Sequence, residues 1–405
     1  MRFFIRFGWF AVLVMFGVIV LIQSVRINMA AYYKHSPHEG IFWQSHNTDY
    51  LLMQAGEALD ANPDRSIKLM QQAIINKPVE AKFYLLLAHF LDFKNKPSEH
   101  LIEVSSTLNP YMPINQIDIA NYWIRRGNAE KTLKHWGLAI EGNSSLATQY
   151  FPLMLELGET GLFNRSFREL TNLNPAWWPS FFNFSLGRAN NETFPRQLYD
   201  YRKANTLLSF EERKAYIDYL LLRRFRTIEA YATWMESLGK DYRTAFGYLI
   251  DGDFNLPPSG YGFGWRHSKA VDYEVARVFE FDNIESPSLK VSFYGSRIIN
   301  QALVNQYLML TPGRYQLSGN FRSVDLNAGE GVRWRVACLN QENIVLGDFV
   351  KGQAQWSKFK FEFIVPDGLG CNAQNLILES LPGGERPFDY HGAVWFDQLR
   401  ISRPN

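Results

Sequence analysis

The spacing of the apolar side chains changes near residue 244, and that change limits the fold more than any other feature of the chain. From Asn47 to about Leu238 apolar residues recur three and four positions apart, as on one face of an α-helix. After residue 244 they alternate with polar residues in short runs separated by Gly, Pro, Asn and Asp, as in β-strands. The 405 residues, 46% of them hydrophobic, are enough for more than one core. The sequence therefore predicts a multidomain α plus β protein, with a helical domain at 47–240 and an antiparallel β-sandwich at 244–405.

An uncharged apolar run, Phe7–Ile22, precedes both domains. Arg2 and Arg6 lie before it, and a run of this kind predicts one transmembrane helix with its N-terminus in the cytoplasm and the body of the chain translocated. We assign residues 1–27 to a cytoplasmic stub and membrane anchor, and residues 28–46 to a linker. A cleaved signal peptide is the alternative, but the residues after the run form a poor cleavage site.

Turn-forming breaks divide the helical region at nearly constant distances. They end at Pro78, Pro110, Ser144 and Pro175. The intervals of 32, 34 and 31 residues are close to the 34 residues of a tetratricopeptide repeat. In the segment GNAEKTLKHWGLAI at 127–140, small Thr132 and Ala139 suit a tight helix crossing, and bulky residues fill the groove beside it. Residues 48–175 thus resemble degenerate tetratricopeptide repeats, which implies an α-helical solenoid that binds a protein partner.

Four motifs in the β region share a pattern with one sandwich family. They are Asp251-Gly-Asp-Phe254, Gly264-Trp265, the segment QYLMLTPGRYQLSG at 306–319, and VWFDQLRI at 394–401. The region resembles the galactose-binding-type jelly roll of carbohydrate-binding modules. The resemblance implies a saccharide ligand and a structural calcium ion held by Asp253 and Asp397. Asn255 replaces the usual Glu of the family, which weakens the calcium assignment. The alternative is that both carboxylates cap turns and form salt bridges at the end of the sandwich.

Saccharide binding needs exposed aromatic faces and planar polar groups. Alternation places Trp356 on the polar face of its strand, and places Arg333 and Arg335 on the face opposite the apolar one that carries Trp334. Further aromatic and polar candidates lie in loops. The candidate contacts are Trp356, Tyr261, Phe263, Arg333, Arg335, Tyr390 and His391. If Trp356, Tyr390 and Tyr261 gather at one groove, saccharide binding is favoured; if they disperse, a scaffold is favoured.

The two cysteines, Cys338 and Cys371, fall in the same predicted domain. Because the body is predicted to be translocated, a disulfide between them is expected. The alternative is two unrelated buried thiols.

Several function classes are disfavoured by the sequence. Its 42 Lys and Arg against 40 Asp and Glu leave a formal charge of +2, which argues against nucleic acid as a partner. HExxH, P-loop, G-x-S-x-G and CxxC motifs are absent from the sequence, and we assign no catalytic residue and no cofactor other than the calcium ion.

The predicted function is that of a membrane-anchored, non-enzymatic scaffold or glycan-binding protein. The combination of features resembles accessory proteins of bacterial exopolysaccharide synthesis and export, which implies the inner membrane with the body in the periplasm. Two alternatives stay open. One is a glycan hydrolase or transferase with its site between the two domains, and the other is a pure assembly scaffold.

Overall fold

The computed structural model describes most of the chain and divides it into two compact units, Met1–Leu207 and Leu208–Asn405. The described residues are 2–32, 47–161, 163–205, 208–239, 242, 245–268, 270–280, 283–295, 301–339, 343–368, 371–382 and 390–404. For 2–14, 30, 280, 283–286 and 301 the description covers the backbone alone. Most of the predicted linker, 28–46, lies outside the described residues.

The first unit begins with helix α1, Arg2–Tyr32, whose range contains the predicted anchor Phe7–Ile22. Within the part of the chain that the structure describes, no helix has an apolar stretch long enough to cross a membrane.

Ten further helices lie within the described residues of the first unit, and most consecutive pairs of them pack together. They are α2 Thr48–Ala58, α3 Pro63–Asn76, α4 Ala81–Phe93, α5 Glu99–Leu108, α6 Pro113–Arg125, α7 Ala129–Gly142, α8 Ala147–Glu159, α9 Asn164–Leu173, α10 Trp178–Arg188 and α11 Thr193–Ala204. The first helices of the pairs start at intervals of 33, 32, 34 and 31 residues. The prediction of helices repeated with this period is confirmed.

Local sequence explains where these helices start. Asn62 and Asn128 accept backbone N–H bonds of the first turn, and Pro63 and Pro113 occupy the first helical position, where a missing N–H costs nothing. Between the helices the core is built from fully buried residues such as Met70. Each pair therefore buries its apolar face against its neighbours, as stacked repeats do.

The second unit contains two helices followed by a β-sandwich. The helices are α12 Phe210–Asp218, which continues as a π-helical turn Tyr219–Arg223, and α13 Thr227–Ser237. The strands are β1 Arg266–His267, β2 Tyr273–Glu280, β3 Asn283–Phe293, β4 Gln301–Leu308, β5 Gly313–Asn327, β6 Gly331–Cys338, β7 Asn343–Leu346, β8 Gly352–Val365, β9 Gln374–Leu381 and β10 His391–Ser402. The first sheet has the order β1-β4-β9-β6-β7 and the second sheet has the order β2-β3-β10-β5-β8, and the pairings are antiparallel. The predicted antiparallel sheet region after the helices is thus confirmed.

The core of the sandwich lies between the two sheets. Trp334 of β6 reaches across to Phe396 of β10, with ring centroids 5.3 Å apart, and also packs near Trp265. These side chains are nearly inaccessible to solvent, as alternation predicts for one face of each strand. The opposite face of each sheet is left for ligands or solvent.

The second unit begins at Leu208, before the helix-to-strand change near residue 244. Trp234 of α13 is fully buried, and its ring packs on Phe263 at 5.8 Å between centroids. Arg266 of β1 donates to the carboxylate of Asp218 at 2.6 Å. Helices α12 and α13 therefore share a core and an ion pair with the sandwich, although their periodicity placed them in the predicted helical domain at 47–240.

Candidate functional site

A groove of about 550 Å³ lies on the solvent face of the first sheet. Its floor comes from positions that the strand register places side by side. Tyr307 of β4 lies opposite Asn375 of β9, which in turn lies opposite Ala337 of β6. The lining residues are Leu222, Phe225, Tyr307, Arg335, Ala337, Cys338, Leu339, Asn343, Asn375 and Ile377.

The segment that follows α12 forms one wall of this groove. Leu222 belongs to the π-helical turn, and Phe225 follows it with a left-handed backbone, φ +54°. Both apolar side chains remain substantially exposed, Phe225 at 59%. Arg266 ties the segment to the sheet, because it pairs with Asp218 while its guanidinium lies 5.0 Å from the Tyr307 ring centroid.

Arg335 is the cation of the groove, and two contacts hold it in place. Its Nε donates to Oε2 of Glu379 at 2.8 Å, and its Nη1 donates to Oδ1 of Asn343 at 2.8 Å. Arg333 donates to the other carboxylate oxygen of Glu379, also at 2.8 Å. All three charged side chains are largely buried. One carboxylate thus orients two guanidinium groups, and Arg335 is preorganised for a polar ligand.

The remaining polar groups of the groove are amides and a phenol. Asn305 donates to Oδ1 of Asn375 at 3.0 Å, which sets the orientation of that amide. The hydroxyl of Tyr307 is protonated at neutral pH, as in an ordinary tyrosine, and can donate a hydrogen bond; burial raises its pKa further. Guanidinium, amide and phenol groups above an apolar wall match the hydroxyl groups and C–H faces of a sugar.

A disulfide joins Cys338 and Cys371 at the end of the groove. Cys338 ends β6, next to Ala337 of the groove floor, and Cys371 follows β8 in the chain. Both are buried, and the bond spans 33 residues of sequence.

The predicted saccharide contacts do not gather at this groove. Only Arg335 lines it, and Arg333 positions Arg335 through Glu379. Trp356 is 45% exposed on the solvent face of the other sheet. His391 begins β10 in that same sheet, 3.7 Å from Asp325.

Three of the predicted contacts need correction, because their rings are buried. Phe263 is 1% exposed and packs edge-on against Tyr231 of α13, while Tyr261 is 6% exposed and its hydroxyl lies 3.0 Å from Ser237. Tyr390 is 2% exposed within the sandwich core. None of these rings offers a face to a sugar, since helix α13 or the sheets cover them.

Asp253 and Asp397, the residues predicted to bind calcium, already have protein partners. Nη2 of Arg400 contacts both carboxylate oxygens of Asp253, at 2.6 and 2.5 Å, so a guanidinium already balances that charge. Asp397 is buried and accepts the N–H of Gln398, and burial raises the pKa of its carboxyl group. Over the described ranges, no group of three or more His, Cys, Asp or Glu side chains has the arrangement of a metal site.

Sequence reasoning did not select Tyr307, Asn343, Asn375 or Phe225. Tyr307 and Asn375 occupy outward positions of strands β4 and β9, and alternation alone identifies such positions. Their convergence depends on the strand order, which is not visible in the sequence. Phe225 comes from a helical segment that sequence periodicity assigns to a different domain.

No family model and no curated protein matches this chain. Solved structures that resemble parts of it include a CBM4 structure, with 15% identity and a TM-score of 0.30 over 38% of this chain and 98% of that one. A family 16 carbohydrate-binding module has 14% identity and a TM-score of 0.26 over 39% of this chain and 100% of that one. MamA has 14% identity and a TM-score of 0.26 over 31% of this chain and 81% of that one. Identities and TM-scores this low identify neither a ligand nor a partner.

Proposed function

We propose that the second unit binds a saccharide in the groove of the first sheet. The observation that carries the proposal is the convergence of Arg335, Asn343, Asn375 and Tyr307 on one face, opposite the apolar side chains of the α12–α13 segment. A guanidinium and two amides bond hydroxyl groups in fixed directions, and the apolar wall packs against the sugar ring. The volume of about 550 Å³ suits a short stretch of oligosaccharide.

We further propose that the helical repeats bind a protein partner. Repeats of this architecture bury their apolar faces by stacking and leave an extended surface for ligands. Large apolar side chains remain exposed where one pair connects to the next, among them Tyr111 at 81% and Ile114 at 65%. Such exposure is typical of surfaces that are covered in a complex.

We propose that the chain is non-enzymatic. Glu379 is the carboxylate bonded to the groove arginine, and Arg333 and Arg335 occupy both of its oxygens. Both oxygens are thus committed to guanidinium groups, whereas a glycosidase needs a carboxylic acid that is free to donate a proton to its substrate, opposite a second carboxylate.

For the location we propose an extracytoplasmic body held by the apolar run Phe7–Ile22. The disulfide between Cys338 and Cys371 supports an oxidising compartment such as the periplasm. A saccharide-binding unit and a partner-binding repeat on one chain suit an accessory protein of polysaccharide synthesis or export. Deletion of residues 1–27 should release the protein from the membrane fraction.

Calorimetry with the full chain tests the saccharide site. The probes are cello-, xylo- and galacto-oligosaccharides, and released sugar is assayed in the same samples to detect hydrolysis. We expect Asn343→Ala and Tyr307→Phe each to weaken binding by about three- to tenfold, the effect of one lost hydrogen bond. Asn121→Ala, on an exposed position of α6, is the matched control and should leave the affinity unchanged.

Two results count against the proposal. If no saccharide in the panel binds the folded chain, the assembly-scaffold alternative is favoured. If a saccharide binds but the groove variants have no effect, the site is elsewhere, and product release with any saccharide favours the enzyme alternative.

A further inference from the structure

A second surface, on the solvent face of the second sheet, combines cations with tryptophan. Lys290 of β3 and Arg322 of β5 both lie opposite Trp395 of β10. The Lys290 Nζ is 4.8 Å from the Trp395 ring centroid, and the Arg322 Cζ is 5.3 Å from it. Trp395 is only 7% exposed. Cation–π contact on both sides therefore holds the two charges in fixed positions.

Strand β8 extends this surface to the edge of the sheet. Its outward side chains include Trp356, Lys358 and Lys360, all exposed, with Lys358 opposite Asn320 and Lys360 opposite Ser318 of β5. Those facing residues are uncharged, and neither lysine forms an ion pair with any described residue. The basic–aromatic patch consists of Lys290, Arg322, Trp356, Lys358, Lys360 and Trp395.

Protection of a sheet edge explains only part of this patch. Lysines on an edge strand discourage pairing with another chain, and Lys358 and Lys360 fit that role. Lys290 and Arg322 lie on inner strands, where no edge needs protection. Together with the β8 lysines they place four cations on one face, which also carries Glu362 of β8, in a chain whose formal net charge is only +2.

We infer that the basic–aromatic patch binds an acidic polysaccharide, a chain of uronate sugars, on the side of the sandwich opposite the groove. Lys290 and Arg322 lie on the two strands that flank β10, about two strand spacings of 4.8 Å apart with Trp395 between them, and Lys358 and Lys360 extend the row of charges onto β8. Carboxylates along the polymer complement that row of charges. The exposed ring of Trp356 offers a flat apolar face on which a sugar can stack.

Affinity electrophoresis of the full chain tests this inference, with polygalacturonate cast in one gel and its fully methyl-esterified, uncharged form in another. We expect retardation by the charged polymer alone, weakened by added NaCl because salt screens exposed charges. The double variant Lys358→Gln with Lys360→Gln, and separately Trp356→Ala, should each raise the apparent dissociation constant by roughly fivefold or more. Lys68→Gln with Lys82→Gln removes the same charge from exposed helix positions and should change nothing.

Independent results would overturn the inference. Equal retardation by the esterified polymer shows that charge is not recognised, and no retardation at low salt shows that there is no such site. Unchanged binding of the Lys358, Lys360 and Trp356 variants places the site elsewhere. The chain is also tested with vesicles that carry anionic headgroups. If it binds these vesicles and not the polymer, and the same variants abolish that binding, the patch binds a membrane surface instead. The groove variant Asn343→Ala should leave this binding intact, which separates the two sites.

Discussion

Asp251 combines burial with an unusual backbone at the entrance to the sandwich. Its carboxylate accepts the N–H groups of Asn255 and Leu256, at 2.8 and 3.0 Å, and its backbone has φ +51°. The Nε1 of Trp265 donates to its carbonyl oxygen at 2.9 Å. Burial raises the pKa of the carboxyl group to about 6, although the two N–H bonds oppose that shift. Few other residues could make these contacts with this backbone conformation, and the protonation of the Asp251 carboxyl group is linked to folding.

We predict that Asp251 lowers the stability of the protein as the pH rises from about 4 to about 6. The folded chain holds this proton more tightly than the unfolded chain, so the contribution is present below the ordinary pKa and is lost as the pH rises through the raised one. Asp251→Asn cannot titrate. The free energy of unfolding of this variant minus that of the natural chain, both measured in urea, should therefore increase as the pH rises from about 4 to about 6. Asp60→Asn, at an exposed turn, is the control, and a difference for Asp251→Asn that does not vary with pH contradicts the prediction.

At the residue scale, the alternation of apolar and polar residues predicts which face of a strand a side chain occupies. It does not predict which side chains of other strands lie beside it. It predicted that Trp334 faces the core and that Arg335 faces outward, and both positions are observed. It had no means of finding that Tyr307 lies in the same groove, because that depends on which strands pair. The sequence predicts exposure for Tyr261 and Phe263 because their loop is rich in glycine, whereas both rings are buried against the preceding helix α13, which periodicity assigns to the other domain.

Helix packing in the first unit depends on small residues at close crossings. Gly158 of α8 faces Phe194 of α11, and a Cβ built on Gly158 would lie 2.1 Å from Cζ of that ring. Gly56 of α2 has no neighbour within 4 Å of the same position. The two glycines share a helical setting and differ in the space around them.

We predict that the substitution of alanine for glycine has opposite effects on stability at positions 158 and 56. Gly158→Ala should destabilise the chain by about 1–3 kcal/mol, because the ring has to move out of a packed core. Gly56→Ala should be neutral or stabilising by up to about 1 kcal/mol, since alanine favours the helix and meets no clash. Thermal and urea unfolding measure both. Equal effects at both sites would contradict the packing that the structure describes.

At the element scale, the helical repeats and the helix caps could be predicted from the sequence because each depends on a short stretch of chain. A capping box of Ser209 and Glu212, a pattern visible in four residues of sequence, begins α12, with the Ser209 side chain accepting from the Glu212 N–H at 3.2 Å. The period of the breaks likewise corresponds to the observed helix pairs. What periodicity did not reveal is which core a helix joins, because α12 and α13 are as helical as the repeats before them.

Helices α12 and α13 belong to the same compact unit as the sandwich and cover part of it. Gly262 has φ +57°, and a Cβ there would lie 2.1 Å from Cδ1 of Trp234. The loop around Gly262 therefore packs closely against α13. Removal of α12 and α13 would expose Phe263 and would leave the guanidinium group of Arg266 without Asp218, its ion-pair partner. Leu222 and Phe225, in the segment between α12 and α13, also supply the apolar wall of the groove. A saccharide-binding unit that started at residue 244 would lack that wall.

We predict that a fragment of residues 208–405 folds, and that a fragment of residues 244–405 is less stable by at least about 3–5 kcal/mol, the cost of losing one large buried aromatic side chain. Urea unfolding compares the fragments, and Trp234→Ala in the full chain separates the lost packing from the act of truncation. Because the wall is missing, the shorter fragment should also bind the groove oligosaccharide more weakly, whereas retardation by polygalacturonate should persist wherever it remains folded. Equal stability of the two fragments would mean that the sandwich folds fully without its helices. Any saccharide binding in the groove would then depend on the sheet residues alone.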